Sequence, residues 1–160
     1  MLENNVSLLL YGPHATGKTY SAICVCNEYI GQLKSVKFVS SLSYTSSISG
    51  RTSRERDIFI DPFLSASLLV LDNLGGEKPT AVSHLAIVEL LEFRVFAGRP
   101  TIITSRLNID ELTDSPILEY RMLSDIISQT TLCLSFSHDY GTKVRNDNIK
   151  KVRGILNEKS

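Results

Sequence analysis

Two short stretches of the chain hold residues whose types and spacing can do chemistry. In "YGPHATGKTY" (11–20), Gly12 is followed by four residues and then by Gly17-Lys18-Thr19. That is the spacing of a phosphate-binding loop. Glycine lets successive backbone N–H groups curl around phosphate oxygens with no Cβ in the way. The helix expected to start near Lys18 would point the positive end of its dipole at the same oxygens. Lys18 is expected to reach the β- and γ-phosphates, and the Thr19 hydroxyl to coordinate magnesium. Pro13 stiffens the loop, Ala15 and Thr16 fill it, and His14 and Tyr20 bring no evident chemistry. The second stretch, "SLLVLDN" (67–73), is an apolar run ending in Asp72. Ligands of parallel sheets gather at the carboxyl ends of strands. Asp72 is therefore expected to hold magnesium through water, the plainer alternative being an Asp that caps a turn.

Elements with the right periodicity surround these residues. "VSLLLYG" (6–12) reads as a buried strand and "KTYSAICVCNEYIGQL" as a helix with apolar Ala22, Val25, Tyr29 and Ile30 at helical spacing and Gly31 as its stop. "SVKFVSS" (35–41) reads as a second strand, and "LSYTSSISGRTSRERD" as a loop or short helix. "RDIFIDPFLSA" is a weak helix that Pro62 would bound or interrupt. After the strand bearing Asp72 come a helix over 80–97 stopped by Gly98 and Pro100, a strand over 100–105, a helix in "PILEYRMLSDII" and a last strand "TTLCLSF". Alternation of apolar strands with helices predicts an α/β domain with a parallel sheet covered on both faces. The domain is expected to span 1–136. Residues 137–160 read as a polar, mildly basic tail in which Val152, Ile155 and Leu156 suit a short amphipathic helix.

Composition narrows the classes further. The chain has 160 residues, 42% hydrophobic and 21% charged, which suits one ordinary globular core. Lys and Arg equal Asp and Glu at 17 each, so any nucleic-acid contact needs a local patch rather than a global field. No apolar run reaches the roughly 20 residues of a membrane span, and "MLENNVS" is not a secretory signal. The three cysteines, Cys24, Cys26 and Cys133, fit neither a disulfide framework nor a zinc site and read as small buried residues. His84 and His138 are isolated and read as structural or exposed. The expected location is the cytoplasm.

The stretches "YGPHATGKT", "LLVLDNLG", "LLEFRVFAGRPTIITSRLN" and "YRMLSDI" together resemble bacterial AAA+ ATPases of the DnaC/IstB type, a group similar to the initiator DnaA. The resemblance covers roughly residues 5 to 136. It implies a P-loop NTPase with a five-stranded parallel sheet flanked by helices, ATP and Mg2+ as ligands, and assembly with copies of itself or a related AAA+ partner. It also implies work with a replicative helicase or a transposase-type partner and with single- or double-stranded DNA. The lid domain of AAA+ proteins has no evident counterpart after residue 136.

Three positions depart from that family's pattern. Asn73 stands where the family has a water-activating Glu or Asp; an amide orients water but is a poor proton acceptor. Arg106, in "TSR", replaces the Asn that senses the γ-phosphate, and it is long enough either to reach a phosphate or to point to solvent. Asp125, in "RMLSD", replaces the arginine finger, and Arg121 either substitutes for it or is a surface charge. The expectation is an ATP-binding protein with weak or absent intrinsic hydrolysis. A nucleotide-gated interaction module and a viral superfamily-3 helicase domain are the alternatives. Arg51, Arg54 and Arg56, in "SGRTSRERD", are candidate DNA-phosphate contacts.

Overall fold

The computed structural model describes residues 6–76 and 80–137. The tail expectation, with His138 and the lysines and arginines beyond it, lies outside the described residues. The chain runs β1 (Ser7–Tyr11), α1 (Lys18–Gly31), β2 (Val36–Ser40), α2 (Ser41–Ile48), α3 (Ser53–Ser65), β3 (Leu68–Leu74), α4 (Ala81–Phe96), β4 (Thr101–Ser105), α5 (Ile109–Thr113), α6 (Leu118–Thr130) and β5 (Thr131–Ser135). All five strands are parallel, in the order β2-β3-β4-β1-β5. The α/β expectation with a five-stranded parallel sheet is therefore met.

The period-2 alternation of strand side chains sorts the core into two layers. Leu9, Leu69, Leu71 and Ile103 pack with Tyr44, Ile87, Leu90 and Leu123 from α2, α4 and α6. Leu8, Leu10, Val70 and Ile102 face the other way, onto Ala22, Cys26 and Tyr29 of α1. The middle strands β3, β4 and β1 are buried on both sides, whereas β2 and β5 form partly exposed edges.

Several local expectations need correction. The inward stripe of α1 is Ala22, Cys26 and Tyr29, spaced i, i+4, i+7; Ile30 is 56% exposed. Cys24 is exposed because it lies between two stripe residues, on the opposite face of the helix. Cys133 is exposed on edge strand β5, so only Cys26 is the buried small residue expected of all three. The segment expected as a loop or short helix is helical, forming α2 and the start of α3. Ser40 caps α2 by accepting from the Ser43 N–H. Thr52 and Glu55 close a reciprocal capping box on α3. Pro62 neither bounds nor interrupts α3, which continues three residues beyond it to Ser65. The carbonyl that Pro62 leaves without an intrahelical donor belongs to Ile58, a residue 67% exposed and open to water. The short helix α5 was not expected at all.

A candidate nucleotide site at the carboxyl end of the sheet

The loop between β1 and α1 is built as its sequence demands. Gly12 has φ 133°, and a Cβ there would come within 2.1 Å of the Phe136 carbonyl oxygen, which follows β5. Phe136 in turn donates its N–H to Tyr11 O at 2.8 Å, so the loop is anchored to the end of the neighbouring strand. Gly17, at φ 95°, takes the left-handed turn that starts α1. No side chain caps this helix and no acid sits in its first turn. Its leading N–H groups therefore face outward with no intrahelical partner, which fits an anion.

Lys18 folds back over the loop. Its ammonium donates to Gly12 O at 2.7 Å, Pro13 O at 2.5 Å and Thr16 Oγ1 at 3.2 Å. Thr16, which is buried, donates to Pro13 O at 2.9 Å and closes the loop on itself. Burial holds the Lys18 pKa below the ordinary lysine value; the carboxylate of Asp72 opposes that shift and the guanidinium of Arg106 adds to it. Arg106 is exposed to solvent and lines the same cavity as the loop.

The second centre is a bulge. The β3–β4 register shifts between Leu71 and Leu74, and the two residues between are Asp72 and Asn73. Asp72 Oδ1 accepts from Thr19 Oγ1 at 2.8 Å and from Thr104 Oγ1 at 2.7 Å. Thr104 Oγ1 also accepts the Asn73 N–H at 2.8 Å. Asn73 has φ 60°, a conformation Asn tolerates better than most residues. Its carbonyl is held by Ser41 Oγ at 2.7 Å and by the Gly76 N–H at 2.9 Å. A Cβ at Gly76 would fall 2.0 Å from Asn73 Nδ2, so Gly76 makes room for that carboxamide.

Between these centres lies a cavity of about 780 Å³. Residues 14–21 of the loop and α1 form one wall, Asn73 and Thr104–Arg106 the other, and Phe136 the end. The cavity sits at the carboxyl ends of β1, β3 and β4, as parallel sheets require. Its size suits a nucleoside triphosphate. Thr19, Asp72 and Thr104 offer hydroxyl and carboxylate oxygens only, a donor set that suits hard Mg2+ completed by water and phosphate.

The remaining sequence candidates lie elsewhere. His14 and Tyr20 stand at the cavity rim, exposed, and Gly12 and Pro13 contribute carbonyls to Lys18. Arg121 and Asp125 are exposed one turn apart on α6 and do not line this cavity. Arg51 stacks over Phe59 at 4.8 Å and donates to Ser47 O; Arg54 is exposed and Arg56 half-buried on α3. Sequence reading passed over Thr104, Ser41 and Phe136. Only the hydroxyl-bearing end of "TIITS" gave a signal, and its meaning depends on the neighbouring bulge.

A family model described as IstB-like ATP binding protein matches residues 1–131. The chain belongs to this family. Among curated proteins, the replicative helicase loader DnaC of Escherichia coli (strain K12) is 25% identical over 141 residues, covering 85% of this chain and 56% of the relative. The chain thus spans little more than half the length of the curated relatives it matches. The crystal structure of the DnaC helicase loader superposes with a TM-score of 0.73 at 20% identity, covering 85% of this chain and 81% of that one. The replication initiator DnaA bound to AMPPCP and single-stranded DNA gives a TM-score of 0.70 at 17% identity, over 93% of this chain and 46% of that one. The chain thus shares the fold of the DnaC and DnaA structures. Among the described residues no helix is long and apolar enough to cross a membrane.

Proposed function

We propose that this IstB-like chain is the nucleotide-binding core of a helicase-loader-like AAA+ subunit that binds ATP with Mg2+ and turns it over slowly by itself. The observation that carries the reading is the convergence of Thr19 and Thr104 on Asp72 Oδ1 at the mouth of an uncapped glycine loop. The N–H groups of the loop and of the first turn of α1 would bind the phosphates, with Lys18 swinging from the loop carbonyls onto the β- and γ-oxygens. Thr19 and Asp72 would hold the magnesium ion, which supplies charge neutralisation at the phosphates when bound. Thr104 would keep Asp72 aimed. Arg106 would add a second cation beside Lys18, and Phe136 would close the far end of the cavity.

Slow turnover is supported by what stands beside the phosphates. Asn73 lines the cavity where a carboxylate would accept a proton from water, and loss of a general base costs about 10²- to 10⁴-fold. Asp125 offers a neighbour's phosphates repulsion rather than an arginine finger, a group worth about 10³- to 10⁵-fold. Partners of the helicase, transposase or AAA+ kind, and DNA contacts at Arg54 and Arg56, belong to the same proposal.

The test is a steady-state ATPase assay on the pure protein with Lys18→Ala as control. The expected Lys18-dependent rate lies below about 1 s⁻¹, the lower end of ordinary enzymes. A faster rate would defeat the slow-turnover reading. Stimulation by single-stranded DNA or a replicative helicase would favour a loader over a purely nucleotide-gated interaction module.

A further inference from the structure

A second cavity, of about 380 Å³, opens between α3 and α4 on the face of the sheet away from α1. Its floor is apolar: Ile60 and Leu64 from α3, with Ala86, Leu90 and Phe93 from α4. Phe93 is 49% exposed, and Leu85 and Phe96 continue the same uncovered helix at 44% and 93%. Three carboxylates stand around that floor: Asp57 and Asp61, one turn apart on α3, and Glu89 on α4. None of the three has an ion-pair or hydrogen-bond partner among the described residues. The cavity also takes in Tyr44, only 1% exposed, whose phenol lies within electrostatic reach of Glu89 and of Arg56. Its ring is packed against Phe59 and Phe63, yet its hydroxyl has no hydrogen-bond partner among the described residues.

The Tyr44 hydroxyl opens onto this acid-rimmed apolar floor rather than being sealed in the core, so an occupant of the groove can pair with it. Apolar floor, unpaired phenol and unpaired carboxylates ask for one kind of occupant. It must bring apolar side chains for Phe93 and Leu64 and cations for Glu89, Asp57 and Asp61. It must not be nucleic acid, whose phosphates the carboxylates repel. The spacing of Asp57 and Asp61 by one helical turn matches cations spaced by one turn on a facing helix. We infer that the α3–α4 groove docks a basic amphipathic helix from a partner protein, with a Lys or Arg reaching Glu89 and the Tyr44 hydroxyl. This surface is independent of the nucleotide cavity and of the reading given to it.

The experiment uses the full chain and a fluorescent Leu/Lys amphipathic peptide of about 14 residues, long enough to hold a helix on a surface. Binding is read by anisotropy and mapped by amide NMR shifts. The expected result is saturable binding with shifts on α3 and α4 and none from a Leu/Glu isomer. The triple variant Asp57→Asn, Asp61→Asn, Glu89→Gln should weaken binding about tenfold, the scale of three exposed ion pairs, and Glu89→Lys should weaken it further. These residues are exposed, so the variants should fold, and unchanged ATP affinity checks that they have. Binding that ignores the substitutions, or that maps elsewhere, overturns the inference. So does self-association lost in the triple variant, which would make the occupant a second copy. Tighter capture of a peptide of residues 143–160 would make it the chain's own tail and equally overturn it.

Discussion

Thr104 does two jobs with one hydroxyl: it donates to Asp72 and accepts from the Asn73 backbone. A hydrogen bond to a charged group is worth about 1.5–3 kcal/mol, so Thr104→Val should weaken Mg2+-dependent ATP binding by about tenfold or more. Thr104→Ser should retain it. Calorimetry with and without Mg2+ checks this, since a merely structural loss would weaken both conditions alike. Lys18 yields a pH prediction. Its pKa is pulled below 10.5 by burial and by Arg106, against the pull of Asp72. A lowered pKa means the ammonium is lost at lower pH than in an ordinary lysine. ATP affinity should therefore fall as pH rises through that lowered value. Arg106→Gln removes one cause and should move the fall to higher pH; an unmoved onset would mean that Arg106 does not act at the site.

Elements are held at the other end of the sheet by an arginine the sequence did not advertise. Arg94, on α4, is fully buried and pairs with no carboxylate among the described residues. It donates instead to Phe63 O at 2.6 Å, Ala66 O at 3.1 Å, Pro100 O at 2.7 Å and Thr101 Oγ1 at 2.9 Å. Carbonyls at the end of α3 carry the negative pole of its dipole and have no intrahelical donors, so a cation suits them. Burial and the nearby Arg99 pull the Arg94 pKa down to about 10, which leaves it charged at neutral pH. Arg94→Met would strand these acceptors and should cost at least about 3 kcal/mol, at 1–3 kcal/mol per orphaned group. Urea denaturation reads this as a lower midpoint with an unchanged slope; a loss under about 1 kcal/mol, ordinary for a surface change, would contradict the clamp. Strands and long helices were legible because their apolar periods are strong. The capping boxes "TSRE" at 52–55 and "NIDE" at 108–111, which start α3 and α5, are sequence signals that the reading passed over. Pro62 misled because a proline near a helix end costs little when water meets the freed carbonyl.

At the scale of the molecule, the parallel sheet explains why residues 53 positions apart, Thr19 and Asp72, meet at 2.8 Å. Each strand delivers its carboxyl end to one side, and the loops there share one cavity. Gly12, Lys18, Thr19 and Asp72 were readable because their spacing is local and their neighbours are apolar strands. The bulge that gives Thr104 its role, and the acid-rimmed groove between α3 and α4, arise only from pairing and packing between distant segments. Exposure of Cys24 and Cys133 is of the same kind, since it depends on which face α1 buries and on β5 lying at an edge. The central claim is that this cavity grips a nucleoside triphosphate through its loop and Lys18. Isothermal titration of the intact protein with ATP and Mg2+ tests it directly. Saturable uptake of one ATP per chain that Lys18→Ala abolishes is the predicted result. Absence of any heat of binding, or binding that survives Lys18→Ala unchanged, would contradict it.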